Sequence, residues 1–170
     1  GLRSETVAQA LMKFQGIKRR QEVVGEKNGV TVIDDFAHHP TAIHRTLEAV
    51  CEAFPDRRIW AIFEPRSATS RRNVFQEAFP QSFRLADVTI IAKLFDPEKI
   101  PLGEMLDLNC VLSELEKTGK ESTLLKGYMS VNRNFTQMLK YMKLRTLMLS
   151  TLDCYMRIYI QGLRKEVEHG

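Results

Sequence analysis

The stretch Val30-Thr31-Val32-Ile33-Asp34-Asp35-Phe36-Ala37-His38-His39-Pro40-Thr41 decides the fold. Its first four residues are apolar or β-branched, the composition of a strand. Pro40-Thr41 suits the first positions of a helix, where the amide that proline lacks has no helical carbonyl to meet. Ile43, Leu47, Val50 and Phe54 then recur at helical spacing. A strand therefore passes into a helix across a turn made of two carboxylates and two imidazoles. Upstream, β-rich residues flank Asn28-Gly29, a pair that tolerates the positive φ of a tight turn. The unit should open with an antiparallel hairpin.

Downstream the alternation continues. Residues 58–63 are an apolar run bounded by charge and Pro65, as in a buried strand. A helix containing Val74, Phe75, Ala78 and Phe79 follows, then an apolar strand at 88–92 and a polar loop with Pro97, Pro101 and Gly103. Leu108, Val111, Leu112 and Leu115 line a further helix that Gly119 stops, and Thr123-Leu124-Leu125 starts one more strand. Residues 7–14 read as a short helical lead-in ended by Gly16. Alternating strands and helices imply right-handed crossovers. The expected class is α/β: a Rossmann-like doubly wound, mainly parallel sheet opened by an antiparallel hairpin. Ligands of such sheets sit at the carboxyl ends of the strands. Those ends are the polar loops 34–40 and 64–72.

The bulk composition excludes several functions. A chain of 170 residues fits one domain. Cys51, Cys110 and Cys154 are scattered without CxxC spacing, which speaks against a zinc site or a disulfide framework and for a reducing compartment. The first residues carry no apolar signal core, and no run reaches a membrane span, so a cytoplasmic location is expected. The net charge of +4 arises entirely after residue 126, where seven basic residues face three acidic ones. No interleaved aromatic and basic pattern accompanies it, so a nucleic-acid groove is unsupported. There is no GxxxxGK[ST] or GxGxxG cradle for a triphosphate.

Two constellations carry chemistry. The first is the cluster Asp34, Asp35, His38 and His39 at a strand end, dense in titratable groups. A carboxylate there can accept from a ribose hydroxyl, and an imidazole beside a helix N-terminus can help hold an anion. The competing reading is an Asx-type turn in which Asp35 and His39 close the helix start. The second is Glu64-Pro65-Arg66-Ser67-Ala68-Thr69-Ser70-Arg71-Arg72. Three arginines and three hydroxyls make an anion cradle, or else a solvated loop with Ser70 as a cap. Lys18-Arg19-Arg20 reads as a solvated approach to the first strand.

Beyond residue 126 the text changes. All four tyrosines and five of the seven methionines fall there, with no proline. Met138, Tyr141, Met142 and Arg145 suggest a helix, and residues 147–149 a strand. Residues 153–170 read as a helix whose apolar positions fit its period poorly.

Taken together, the segments 16–22, 32–41 (with its Asp-Asp-Phe-Ala-His-His-Pro-Thr string) and 63–67 (Phe-Glu-Pro-Arg-Ser) resemble the C-terminal domain of Mur ligases over about residues 12–126. Arg66-Ser67 after the proline looks like the branch that joins L-alanyl-γ-D-glutamyl-meso-diaminopimelate to UDP-N-acetylmuramate in peptidoglycan recycling. The branch that adds L-alanine usually has His-Arg there. The resemblance implies a three-domain ATP-dependent amide ligase, with ATP and Mg²⁺ held mainly by a central domain and the UDP-sugar by an N-terminal one. This chain would be the lid bringing in the amine, inactive in isolation, with residues 1–15 as the linker and 16–126 as the domain. By motif, Asp35 would contact the nucleotide ribose with His39 beside it, and His38 would act catalytically on the phosphate side. Arg66, Ser67, Ser70 and Arg71 would bind a carboxylate of the incoming peptide. The tail 127–170 lacks the family's glycine-rich ending, and reads as either a frameshifted or replaced tail or genuine divergence that completes the same domain. The alternatives to the tripeptide ligase are the L-alanine ligase and a non-catalytic stand-alone α/β binding module.

Overall fold

A computed structural model describes residues 3–14, 16–27, 29–125 and 156–163. The element order is α1 (Ser4–Met12), β1 (Glu22–Lys27), β2 (Val30–Asp35), α2 (Pro40–Ala53), β3 (Arg57–Phe63), α3 (Ala78–Ser82), β4 (Val88–Ala92), α4 (Leu108–Glu116), β5 (Glu121–Leu125) and β6 (Met156–Leu163). Short 3₁₀ turns occupy Asn73–Phe75 and Pro97–Lys99.

The six strands form one sheet in the order β1-β2-β6-β3-β4-β5. β1 and β2 form the hairpin expected at Asn28-Gly29, with Gly29 at φ 73°. Its register shifts between Val23 and Gly25, where a bulge interrupts the ladder. β3, β4 and β5 pair in parallel. β6 pairs antiparallel with both β2 and β3, so β2 and β3 run the same way. Four strands thus share one direction, and the α/β, mainly parallel expectation holds.

The helix starts follow local chemistry. α2 begins at Pro40 after His39, and α4 begins after Asp107, whose carboxylate accepts from the amides of Asn109 and Cys110. Gly119, at φ 74°, ends the α4 turn as expected. One apolar cluster joins Ile43, Leu47 and Val50 of α2, Phe79 of α3 with Phe83 just after it, and Val111 and Leu115 of α4 to Ile33, Ile59, Ala61, Phe63 and Ile91 of the sheet. Val32, Ile62, Val88 and Ile90, from the alternate positions of the same strands, are buried as well. α1 buries none of its residues.

Two expectations change. The single helix around Val74–Phe79 is split into the 3₁₀ turn and the short α3. Within 153–170, read above as a helix, Met156–Leu163 is a strand. Met156, Ile158 and Ile160 alternate with Arg157, Tyr159 and Gln161, which is the period of a strand. The helix proposed around Met138–Arg145 and the strand at 147–149 lie outside the described residues.

β6 fills the slot between two strands that nothing else in the described sheet joins. A chain shortened to end at Leu125 should therefore lose its cooperative urea transition, because β2 and β3 would each expose an unpaired edge. An unchanged midpoint in that shortened chain would show that β6 does not support the sheet.

Candidate functional site

The site grows from the level ends of two strands. Met156 of β6 is in register with Asp35 on one side and Phe63 on the other. The tips of β2 and β3 therefore stand at one height, separated by a single strand, roughly 9–10 Å at the usual inter-strand spacing. The two polar loops leave from these tips.

Asp35 is only 4% exposed and its carboxylate is engaged on both oxygens. Oδ1 accepts from the Ala37 amide at 2.7 Å and the Thr46 hydroxyl at 3.4 Å, while Oδ2 accepts from the Gln21 amide at 2.8 Å. The Asp35-to-Ala37 bond is an Asx turn. The Gln21 bond reaches back to the segment before β1. There Arg19 and Gln21 hold left-handed backbone at φ 56° and 49°. Such residues cost on the order of 1–3 kcal/mol each and persist only when their surroundings fix them. The fixing bonds are visible: Phe36 donates its amide to the Arg19 carbonyl at 2.8 Å, and the Arg20 guanidinium lies 5.6 Å from the Phe36 ring. The basic run is thus a tied loop rather than a loose approach to the strand.

The two histidines play different parts. His38 places Nδ1 2.9 Å from the Phe36 carbonyl. A carbonyl only accepts, so Nδ1 carries the proton and Nε2 is the acceptor of the neutral ring. His39 does the reverse: its Nδ1 accepts from the Thr41 amide at 3.3 Å and caps α2. Its ring meets Phe75 edge-on at 4.5 Å. That contact links the first turn to the segment after the second loop.

In the second loop the expected residues separate into two groups. Ser67 and Ser70 bond each other. The Ser67 hydroxyl accepts from the Ser70 amide at 3.0 Å and donates to its hydroxyl at 2.8 Å, and Ser70 is fully buried. Arg71 donates to the carbonyls of Phe95 at 2.8 Å and Asp96 at 3.2 Å, which fastens the loop after β4. Arg66 instead stacks over the Phe95 ring at 4.4 Å, with Nη1 3.7 Å from Oε2 of the buried Glu64. A stacked guanidinium beside a buried carboxylate can receive a carboxylate or phosphate. Sequence reasoning passed over Phe95 and Thr46, and named Glu64 within the loop without giving it a role. The one available signal was the Glu64-Pro65-Arg66 spacing, which puts two opposite charges on one side of an extended segment.

Among the described residues no group of three or more His, Cys, Asp or Glu converges as a metal site. The carboxylate of Asp35, expected from the sequence to meet the nucleotide, is already bonded through both oxygens. Among the described residues no helix is long and apolar enough to cross a membrane.

Comparison with known proteins agrees with this geometry. The family described as Mur ligase, glutamate ligase domain, matches residues 19–119. The chain is 45% identical over 95 residues to the UDP-N-acetylmuramate–L-alanine ligase of Desulfitobacterium hafniense, which covers 56% of this chain and 21% of that protein. Among solved structures, the murein peptide ligase of Psychrobacter arcticus matches with a TM-score of 0.56 and 36% identity, over 76% of this chain and 26% of that one. The UDP-N-acetylmuramate-alanine ligase of Thermotoga maritima matches with a TM-score of 0.53 and 26% identity, over 69% of this chain and 24% of that one. The chain thus spans about a fifth of the length of the first curated relative it matches. With the family match running through both strand-tip loops, the chain belongs to the Mur ligase family, as its C-terminal domain.

Proposed function

We propose that this domain is the amine-delivering lid of a cytoplasmic ATP-dependent ligase that joins UDP-N-acetylmuramate to the tripeptide L-alanyl-γ-D-glutamyl-meso-diaminopimelate. The observation that carries the reading is the Arg66 guanidinium, stacked on Phe95 at the carboxyl end of β3. That is the position where α/β sheets receive ligands, and arginine is the side chain best matched to a carboxylate. A tripeptide rich in carboxylates suits it. ATP and Mg²⁺ fall mainly to the rest of a full-length ligase, in keeping with the lack of a convergent metal-ligand group among the described residues. Residues 1–15 are the connection to that remainder, 16–126 the domain, and 127–170 its completion.

In this reading Arg66 pairs with a peptide carboxylate, with Ser67, Ser70 and Arg71 shaping the loop around it. His38 offers its Nε2 as an acceptor toward the phosphate side, and Asp35 and His39 border the nucleotide. Closing the lid would place the amine for attack and keep water from an activated carboxylate. A second reading, the same lid with L-alanine as the amine, is favoured by the curated relatives, which are named UDP-N-acetylmuramate–L-alanine ligases.

Ligation by the full-length protein with each amine separates the two readings: the tripeptide should be consumed and L-alanine not. In that protein Arg66→Ala should raise the KM for the amine about tenfold to a hundredfold, the loss of a charge-assisted pair, and leave the KM for ATP nearly unchanged. Equal effects on both substrates would reject the carboxylate role.

Asp35→Asn sets an amide NH₂ against one of the backbone donors that the carboxylate now accepts. It should lower the melting temperature and raise the KM for ATP while sparing that for the amine. A lowered melting temperature with an unchanged KM for ATP would leave Asp35 as a structural tie and remove its nucleotide assignment.

A further inference from the structure

We propose that Glu64 and Phe95 are positioning residues: they preset the Arg66 guanidinium so that the amine substrate's carboxylate meets a cation already held in place. The proposal rests on the carboxylate-binding reading of Arg66 and names what that site requires around it.

A free arginine has many rotamers, and ordering it on binding subtracts from affinity. Among the described residues, two contacts from separate segments hold Arg66 before any ligand arrives. Glu64 follows the last residue of β3 and is 7% exposed. With Pro65 between them, Glu64 and Arg66 lie two apart on an extended segment, so their side chains fall on one side. The resulting pair has Oε2 and Nη1 3.7 Å apart. At that distance the attraction is between charges rather than through a hydrogen bond, and in a site so buried it biases the guanidinium toward the carboxylate. The second contact is the Phe95 ring, 4.4 Å from the guanidinium carbon.

Phe95 is itself held. Its amide donates to the Pro65 carbonyl at 3.3 Å, and its own carbonyl accepts from Arg71 at 2.8 Å. The loop after β4 is therefore bolted to the loop after β3 on both sides of the aromatic ring. Two arginines five residues apart divide the work: Arg71 secures the support and Arg66 uses it. Arg66 keeps 19% side-chain exposure, so it is fixed in orientation and still reachable.

The test uses the full-length ligase, with the KM for the amine, the KM for ATP, kcat and the melting temperature measured for Glu64→Gln, Phe95→Leu and Arg66→Ala. Glu64→Gln keeps the shape and removes the charge. It should raise the amine KM about tenfold with kcat and the ATP KM within about twofold, because a small displacement of a recognition group is costly. Phe95→Leu should act in the same direction and more weakly. It carries the test alone if the Glu64 variant does not fold. Adding Glu64→Gln to Arg66→Ala should raise the amine KM no further, since a positioning residue has nothing left to position. An amine KM unmoved by Glu64→Gln or Phe95→Leu, in an enzyme where Arg66→Ala does raise it, overturns the proposal. So does a parallel loss of kcat and both KM values, which is the mark of general structural damage. If Arg66→Ala leaves the amine KM unchanged, the carboxylate reading itself falls, and this proposal with it.

Discussion

The carboxylate of Asp35 is the constraint on which the upper edge of the molecule depends. A strand that turns at once into a helix must satisfy several backbone amides with no ladder partner. Asp35 takes one of them, Ala37, inside the turn, takes Gln21 from the segment before β1, and receives the Thr46 hydroxyl from α2. One side chain thus joins the entry loop, the strand tip and α2. The left-handed backbone of Arg19 and Gln21 is tolerable because that junction over-determines it. Loosen it and the aromatic contacts of Phe36 with Arg20 and His38 lose their frame as well.

The same economy appears at the second strand tip. Polar residues that look alike in a row take different parts: Ser67 and Ser70 bond each other, Arg71 ties the loop after β4, and Arg66 stacks on Phe95. Buried hydroxyls and guanidinium groups must be hydrogen-bonded, and the partners here lie in the same loop for Ser67 and Ser70 and in the loop after β4 for Arg71. Each loop consequently spends most of its polar groups on its own shape. His39 repeats the pattern in the first turn, where its Nδ1 caps α2 and its ring rests on Phe75.

What the sequence disclosed follows from range. The hairpin at Asn28-Gly29, the start of α2 at Pro40 and the stop at Gly119 are decided by neighbours in the chain, and each stands where expected. The Asx turn and the His39 cap were visible as one of two readings because they too are local. β6 was misread because Tyr159 blurs the alternation of Met156, Ile158 and Ile160, and because its partners lie far back in the chain. The left-handed Arg19 and Gln21 leave no mark in composition, since neither is glycine or asparagine. Phe95 reads as an ordinary loop aromatic until the loop after β3 is brought against it. The division of the arginines was invisible for the same reason: a guanidinium's role is set by what folds onto it.

The strand at the middle of the sheet is the last described in the chain, and this shapes how the protein can be made. While the ribosome is still supplying residues beyond β5, the nascent sheet holds a hairpin on one side and a three-stranded parallel unit on the other, with two open edges facing each other. Closure waits for a segment whose contacts span much of the chain, the type of pairing that folds slowly. The emerging polypeptide is accordingly most prone to recruit a foreign strand during the interval before β6 has joined the sheet.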